Sequence, residues 1–219
     1  MLEYYDRRAK EYDEWYLGAG LFADRDRPGW DKERDRLCRR LGELSPARTL
    51  DVACGTGFLT RHLPGEVTGL DQSGRMLTIA RERVPSGRFV QGDALGLPFA
   101  DGSFERVVTG HFYGHLREEE RRRFLAEAAR VAGEVVVVDS HERPDHATEE
   151  EQERVLNDGS RHTVYKRYFT GERLAAELGG ADVLLDGDWF VVVKTRCSRL
   201  AEVPASSGTK SPKPLSNGA

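Results

Sequence analysis

From about residue 45 onward, short apolar runs alternate with amphipathic stretches. Residues 49–53 predict a strand and 57–63 a helix; 66–70 predict a strand and 73–83 a helix. A strand over 88–91 opens into a polar connection carrying Leu95, Leu97, Pro98 and Phe99. A further strand over 104–109 leads to a helix over 117–132, and 134–139 is an almost continuous apolar strand. Such a run is expected where both faces of a parallel sheet are covered. Strand and helix in alternation predict an α/β fold built on a doubly wound, mostly parallel, seven-stranded sheet.

The flanks of this pattern differ. Residues 3–17 place Tyr4, Tyr5, Tyr12, Trp15 and Tyr16 among charges at helical spacing. A second helix is predicted over 31–44, with Leu37, Cys38, Leu41 and Leu44 on its inner face. Beyond Ser140, residues 141–157 are charged and read as a loop plus a helix, 163–170 as extended, and 171–178 as a helix. Strands at 182–186 and 189–195, joined by Gly187-Asp188, predict a C-terminal antiparallel hairpin. The Pro- and Ser-containing residues 198–219 read as a flexible tail. The expected organisation is therefore a helical lid over 1–44, a core over 45–197 with a lid-like insertion at about 141–170, and the tail.

Composition narrows the function classes. At 219 residues one domain is expected. A net charge of -4 and a pI near 5.9 give no global attraction to nucleic acid. Arg121, Arg122 and Arg123 follow three glutamates and read as a solvated helix face. Cys38, Cys54 and Cys197 have no C-x-x-C spacing, which excludes a disulfide framework and a zinc cluster. Without a signal-like start or an apolar run of about 18 residues, no membrane segment is expected and a cytoplasmic location is.

Chemistry concentrates at Leu50-Asp51-Val52-Ala53-Cys54-Gly55-Thr56-Gly57, a strand ending in an acid, then a tight turn and a helix start. Gly55 and Gly57 suit unusual backbone angles and close approach to a ligand. The dinucleotide pattern G-x-G-x-x-G fits poorly, because its first glycine is Ala53 and its third is missing. Asp71, at the tip of the second strand, is placed to accept from both hydroxyls of a ribose, or to cap the helix starting near Ser73. Cys54, inside the loop, reads as small-residue packing in preference to a nucleophile.

Asp51 with Gly55-Thr56-Gly57 resembles motif I of the class I S-adenosylmethionine-dependent methyltransferases. Gly69-Leu70-Asp71-Gln72-Ser73, Gln91-Gly92-Asp93-Ala94 and Leu97-Pro98-Phe99-Ala100-Asp101-Gly102-Ser103-Phe104 follow in the family's order, over about residues 47–140. The resemblance implies a Rossmann-like methyltransferase fold, S-adenosylmethionine as cofactor and S-adenosylhomocysteine as product. It implies cofactor contacts from Tyr12, Asp51, Ala53, Gly55, Thr56 and Gly57, with Asp51 towards the ammonium and Tyr12 closing over the methionine end. Asp71 and Gln72 would address the ribose, and Asp93 with Ala94 the adenine. Met76 packs on that ring or belongs to the core, and Thr109 completes the set.

Methyl transfer from a sulfonium is an in-line displacement, so alignment and water exclusion carry much of the catalysis. The residues after the fourth strand lie where the reacting end is expected. There His111 is the first candidate for a general base and Tyr113 the second, with a pocket-wall role as the alternative for His111. His141 and Tyr165, or Tyr168 in its place, are candidate acceptor-binding residues, and no acid pair suggests a metal. The expected activity is methylation of a small molecule, O-methylation ahead of N or C, by a monomer or homodimer without nucleic-acid or membrane partners. Alternatives are a tRNA or protein methyltransferase, a non-catalytic cofactor-binding partner protein and, remotely, a nicotinamide oxidoreductase.

Overall fold

The computed structural model describes residues 2–144 and 147–200. Nine strands follow in chain order: β1 (Ala47–Val52), β2 (Gly65–Asp71), β3 (Arg88–Gln91), β4 (Arg106–Gly110), β5 (Glu134–Ser140), β6 (Glu149–Val155), β7 (Arg161–Arg167), β8 (Asp182–Asp186) and β9 (Phe190–Arg196). The helices are α1 (Leu2–Arg8), α2 (Glu14–Leu17), α3 (Trp30–Gly42), α4 (Gly74–Arg83), α5 (Glu118–Val131), α6 (Gly171–Glu177) and α7 (Cys197–Leu200). Seven strands form one sheet in the order β3-β2-β1-β4-β5-β9-β8, and β6 with β7 forms a separate antiparallel ribbon. The pairs β2–β3, β1–β2, β1–β4 and β4–β5 are parallel. β9 runs antiparallel to both β5 and β8. The expected seven-stranded, mostly parallel sheet with its C-terminal antiparallel hairpin is present.

Apolar packing covers both faces. Phe124, Ala128 and Val131 of α5 join Leu50, Val52, Val107, Val135 and Val137 on one side. Leu37 and Leu41 of α3 join Val108, Val136, Val138 and Val192 on the other. Val135 through Val138 are fully buried, which explains the continuous apolar run of β5. α4 begins where Ser73 accepts from the backbone N–H of Met76 at 3.1 Å, so a hydroxyl fixes the helix start beside Asp71.

Three expected elements differ. Residues 57–63 form no α-helix, only a short 3₁₀ turn at Thr60–His62. Gly57 enters with φ of 74° and Pro64 follows, leaving no length for a helix. The single helix expected over 3–17 is broken between α1 and α2, because its two ends are held by different partners. Tyr4 packs with Leu156 and Val164 of the ribbon, while Tyr16 stacks on Phe58 at 4.0 Å. Finally, the helix expected within 141–157 is a strand, β6. Its alternating half-burial carries polar side chains on both faces, one towards a polar cavity and one towards solvent, so no apolar periodicity marks it. The tail expected over 198–219 begins inside α7, and from residue 201 it lies outside the described residues. Among the described residues no helix is long and apolar enough to cross a membrane.

Candidate functional site

β1 and β4 are neighbours, and the chain leaves them towards opposite edges of the sheet. The crevice outside the carboxyl ends of two such strands is where open α/β sheets bind ligands. Its two walls are the loops after β1 and after β4. Among the described residues the non-glycine positions with positive φ are Ala53 at 58° and His111 at 54°, one in each loop. Backbone held in this region costs of order 1–3 kcal/mol and gathers at functional sites.

The β1 loop is organised by Asp71. Its Oδ2 accepts from the Gly55 N–H and its Oδ1 from the Ser73 N–H, both at 2.9 Å. Burial raises the Asp71 pKa, and these backbone donors work against the rise. A carboxylate has about four acceptor positions, so acceptor capacity remains after these bonds. A Cβ on Gly55 would stand 3.5 Å from the Tyr12 ring, and one on Gly57 would press on Ala80 of α4 at 3.3 Å. Gly55 therefore lets Tyr12 lie over the loop, and Gly57 lets α4 pack against it.

A narrow pocket runs along this loop. Ala53, Gly55, Asp71, Gln72, Met76 and Ala94 line it, with His111 at one end and Tyr5 and Tyr12 over it. Thus eight of the predicted site residues, Tyr12, Ala53, Gly55, Asp71, Gln72, Met76, Ala94 and His111, are brought together. Others stand behind. Asp51 is buried and accepts from the Thr60 hydroxyl, and burial pushes its pKa up to about 7. The Thr109 hydroxyl donates to the Val52 carbonyl at 2.9 Å. Asp93 is exposed and turns a carboxylate oxygen to the Leu95 N–H at 2.9 Å. Thr56 and Gly57 also lie outside the lining; the Thr56 hydroxyl donates to Asp13 at 2.6 Å.

That last bond belongs to a latch. Asp13 also pairs with Arg83 of α4, and Asp6 accepts from the Ser73 hydroxyl. Two acids of the N-terminal segment thus grip the β1 loop and the start of α4. The same segment is tied to the ribbon connection, where Glu11 accepts from the Asn157 N–H at 2.9 Å. Asp13→Ala removes a charge-assisted bond of about 1.5–3 kcal/mol. Amide exchange of residues 2–17 is expected to accelerate tenfold or more in this variant while the central strands are unaffected. An unchanged exchange rate would show that the latch contributes nothing.

A second, wider cavity of about 900 Å³ lies between the N-terminal segment and the ribbon. It shares Tyr5, Tyr12 and His111 with the first pocket, so the two spaces meet at these residues. The His111 ring lies edge-on to Trp15 at 4.7 Å and to Phe190 at 5.6 Å. Its Nδ1 is 3.4 Å from the Ser140 hydroxyl, and its Nε2 is buried without a partner. Burial lowers its pKa to about 3, so the imidazole is neutral at physiological pH.

Three predicted residues are not brought here. Tyr113 is fully buried and donates to Glu177 at 2.8 Å, on the far side of the β4 loop. His141 sits 3.1 Å from Asp186, and Tyr165 donates outward to Glu149 at 2.6 Å. Neither lines the cavity. Tyr168, the alternative to Tyr165, does line it, together with Arg8, Trp15 and Arg154. Residues 149–154 are polar on both faces of β6, so their sequence carried no signal for the ribbon's inner face.

Residues 49–135 match the model of a methyltransferase domain. The chain is 39% identical over 132 residues to the demethylmenaquinone methyltransferase of Thermotoga maritima, covering 58% of this chain and 54% of that protein. It is 44% identical over 99 residues to the phthiotriol/phenolphthiotriol dimycocerosates methyltransferase of Mycobacterium tuberculosis, covering 41% of this chain and 35% of that one. The chain thus spans about half or less of the length of these curated relatives. The solved DhpI-SAM-HEP complex superposes with a TM-score of 0.69 and 26% identity, over 88% of this chain and 94% of that one. The DhpI-SAH complex gives 0.67 and 25%, over 88% and 93%. Gly55, Asp71 and Ala94 line one pocket at the β1/β4 switch point, and residues 49–135 around it carry the match to a methyltransferase domain.

Proposed function

We propose that the protein transfers the methyl group of S-adenosylmethionine to a small-molecule acceptor, with O-methylation favoured over N or C. The observation that carries this reading is the meeting of the two spaces at Tyr5, Tyr12 and His111. The narrow pocket suits the cofactor, because its lining holds Asp71 and no arginine or lysine, and the cofactor has no phosphate to be matched. The remaining acceptor capacity of Asp71 serves the ribose hydroxyls. Met76 and Ala94 contact the adenine, and Gln72 stands beside Asp71. Tyr5 and Tyr12 cover the methionine end, and residues 1–44 with the β6–β7 ribbon act as the lid. The relatives named above carry demethylmenaquinone and phthiotriol or phenolphthiotriol dimycocerosates in their names, which supports a small-molecule acceptor here.

The bound cofactor supplies an electrophilic methyl carbon on a sulfonium. An acceptor lone pair attacks that carbon, the carbon–sulfur bond breaks, and its electron pair stays on sulfur. The protein contributes alignment and exclusion of water. A buried imidazole whose conjugate acid has a pKa of about 3 is a weak base. His111 therefore serves as a wall and positioning residue, and the acceptor reaches the methyl group with its lone pair already available.

The decisive experiment incubates the protein and labelled S-adenosylmethionine with a small-metabolite extract and, separately, with total RNA and protein. Label appearing in a small molecule supports the reading; label confined to RNA or protein, or tight cofactor binding without any transfer, would overturn it. His111→Phe is expected to lower turnover less than about 100-fold, the lower edge of the cost of losing a general base. The pH profile should keep its shape between pH 5 and 8. A wild-type limb near pH 6.5 that vanishes in this variant would restore the base.

A further inference from the structure

The wider cavity contains charge that the protein does not neutralise. Arg154 lies on the inner face of β6, its Nε is buried without a hydrogen-bond partner, and no carboxylate pairs with it among the described residues. Arg8 reaches the same cavity from α1. Its guanidinium donates to the Tyr4 hydroxyl at 2.8 Å and lies 4.9 Å from the Tyr12 ring centroid, again with no carboxylate among the described residues. Arg83, Arg106 and Arg121, by contrast, are paired with Asp13, Glu134 and Glu177. Burial, and then the neighbouring Arg8, lower the Arg154 pKa, whereas at Arg8 the effect of burial is outweighed by Tyr4, Tyr12 and Tyr5, which raise its pKa.

Among the described residues none of the acids around the cavity forms an ion pair with Arg8 or Arg154. Glu151 and Glu153 turn outward and pair with Arg117 and Arg161. Glu150 faces inward and accepts from the Gln152 amide. Lys166 is already matched by buried Asp139. At the rim, exposed Asp26 stands between Arg25 and Arg27, and Arg27 donates to the Trp15 carbonyl at 2.8 Å. Uncompensated buried charge is strongly destabilising unless a ligand supplies the opposite sign, and guanidinium groups match the geometry of oxyanions.

We propose that the acceptor carries an oxyanion, a carboxylate or a phosphoryl group, and that Arg8 and Arg154 hold it inside the cavity that opens onto His111. This rests on the methyltransferase reading and deepens it. Where the oxyanion is itself the atom methylated it carries no proton to remove, which fits a site whose histidine is a weak base.

The test uses the whole protein saturated with S-adenosylhomocysteine, whose binding is measured first by calorimetry. Melting temperature is then followed on adding inorganic phosphate, acetate or neutral acetamide at constant ionic strength. An oxyanion at about ten times its Kd should raise the melting temperature by roughly 3–6 °C, and acetamide should not. A rise with phosphate alone assigns a phosphoryl group, a rise with acetate alone a carboxylate, and a rise with both their shared chemistry. Arg154→Gln and Arg8→Gln should each abolish the rise while leaving S-adenosylhomocysteine affinity within about twofold. Arg154→Gln without anion should melt no lower than the wild type, since it removes an uncompensated charge; Arg154→Lys should retain part of the rise. Normal S-adenosylhomocysteine binding with no anion response, or an anion response unchanged in both glutamine variants, overturns the oxyanion site alone. Absence of S-adenosylhomocysteine binding overturns the methyltransferase reading with it.

Discussion

Lys166→Met is expected to destabilise the protein by about 3–5 kcal/mol, because it strands a carboxylate at the centre of the fold. Asp139 and Lys166 are a buried ion pair, with side-chain exposures of 0% and 3%. Asp139 also accepts from the Gly114 N–H at 2.7 Å and the Ser140 N–H at 2.8 Å, so it ties β5, the β4 loop and the ribbon together. Burial pushes the Asp139 pKa up, but the Lys166 ammonium, then His111 and the hydrogen bonds, bring it below the usual carboxylate value. The wild-type contribution of this carboxylate is therefore complete above the unfolded value, near pH 4, and is lost as pH falls through the lower folded value. Without the ammonium, burial raises the folded pKa, and the variant gains stability on acidification. Chemical denaturation at pH 7 and pH 5 should show the gap between variant and wild type narrowing at the lower pH. A gap that is small at pH 7, or constant between the two, would mean that the pair is not electrostatically coupled.

Asp71→Ala is expected to weaken S-adenosylmethionine binding by about 2 kcal/mol or more, roughly thirtyfold, through loss of charge-assisted hydrogen bonds. The carboxylate also holds the Gly55 and Ser73 N–H groups, so some of the loss comes from a loosened loop. Asp71→Asn separates the two parts, since its amide oxygen still accepts from one backbone donor while the charge is gone. Calorimetry should place Asn between wild type and Ala. Affinity equal to the wild type in both variants would remove Asp71 from the ribose role, and affinity equal in Asn and Ala would assign the whole effect to charge.

Much of the fold was legible because the central strands are apolar for a single reason. Val135 through Val138 are buried from both sides, and nothing in their neighbourhood competes with that signal. Asp71, Gly55 and Ala94 were legible in the same way, since loop chemistry at strand tips depends on local sequence. What failed depended on distant partners. Residues 149–155 read as charged helix or loop because the ribbon faces a polar cavity on one side and solvent on the other. Arg154 was therefore invisible as a site residue. Tyr113 and His141 stand in loops at the correct end of the sheet, yet Glu177 and Asp186 turn them elsewhere. Those acids lie 64 and 45 positions away in sequence. Asp13 was passed over for the same reason, since its partners Thr56 and Arg83 lie 43 and 70 positions away.

The roof over the pocket is held mainly by side-chain hydrogen bonds and ion pairs, and α1 buries only Tyr4 among its residues. The sheet beneath is held by apolar burial and seven strands of backbone bonding. Segments with few buried apolar contacts open at a fraction of the global unfolding free energy. The molecule thus has two tiers of stability, and under the proposed function opening of the roof is expected to set the rate of product release. Raised ionic strength, which screens the exposed part of the charge network along this edge, would then speed release while leaving the melting of the sheet unchanged.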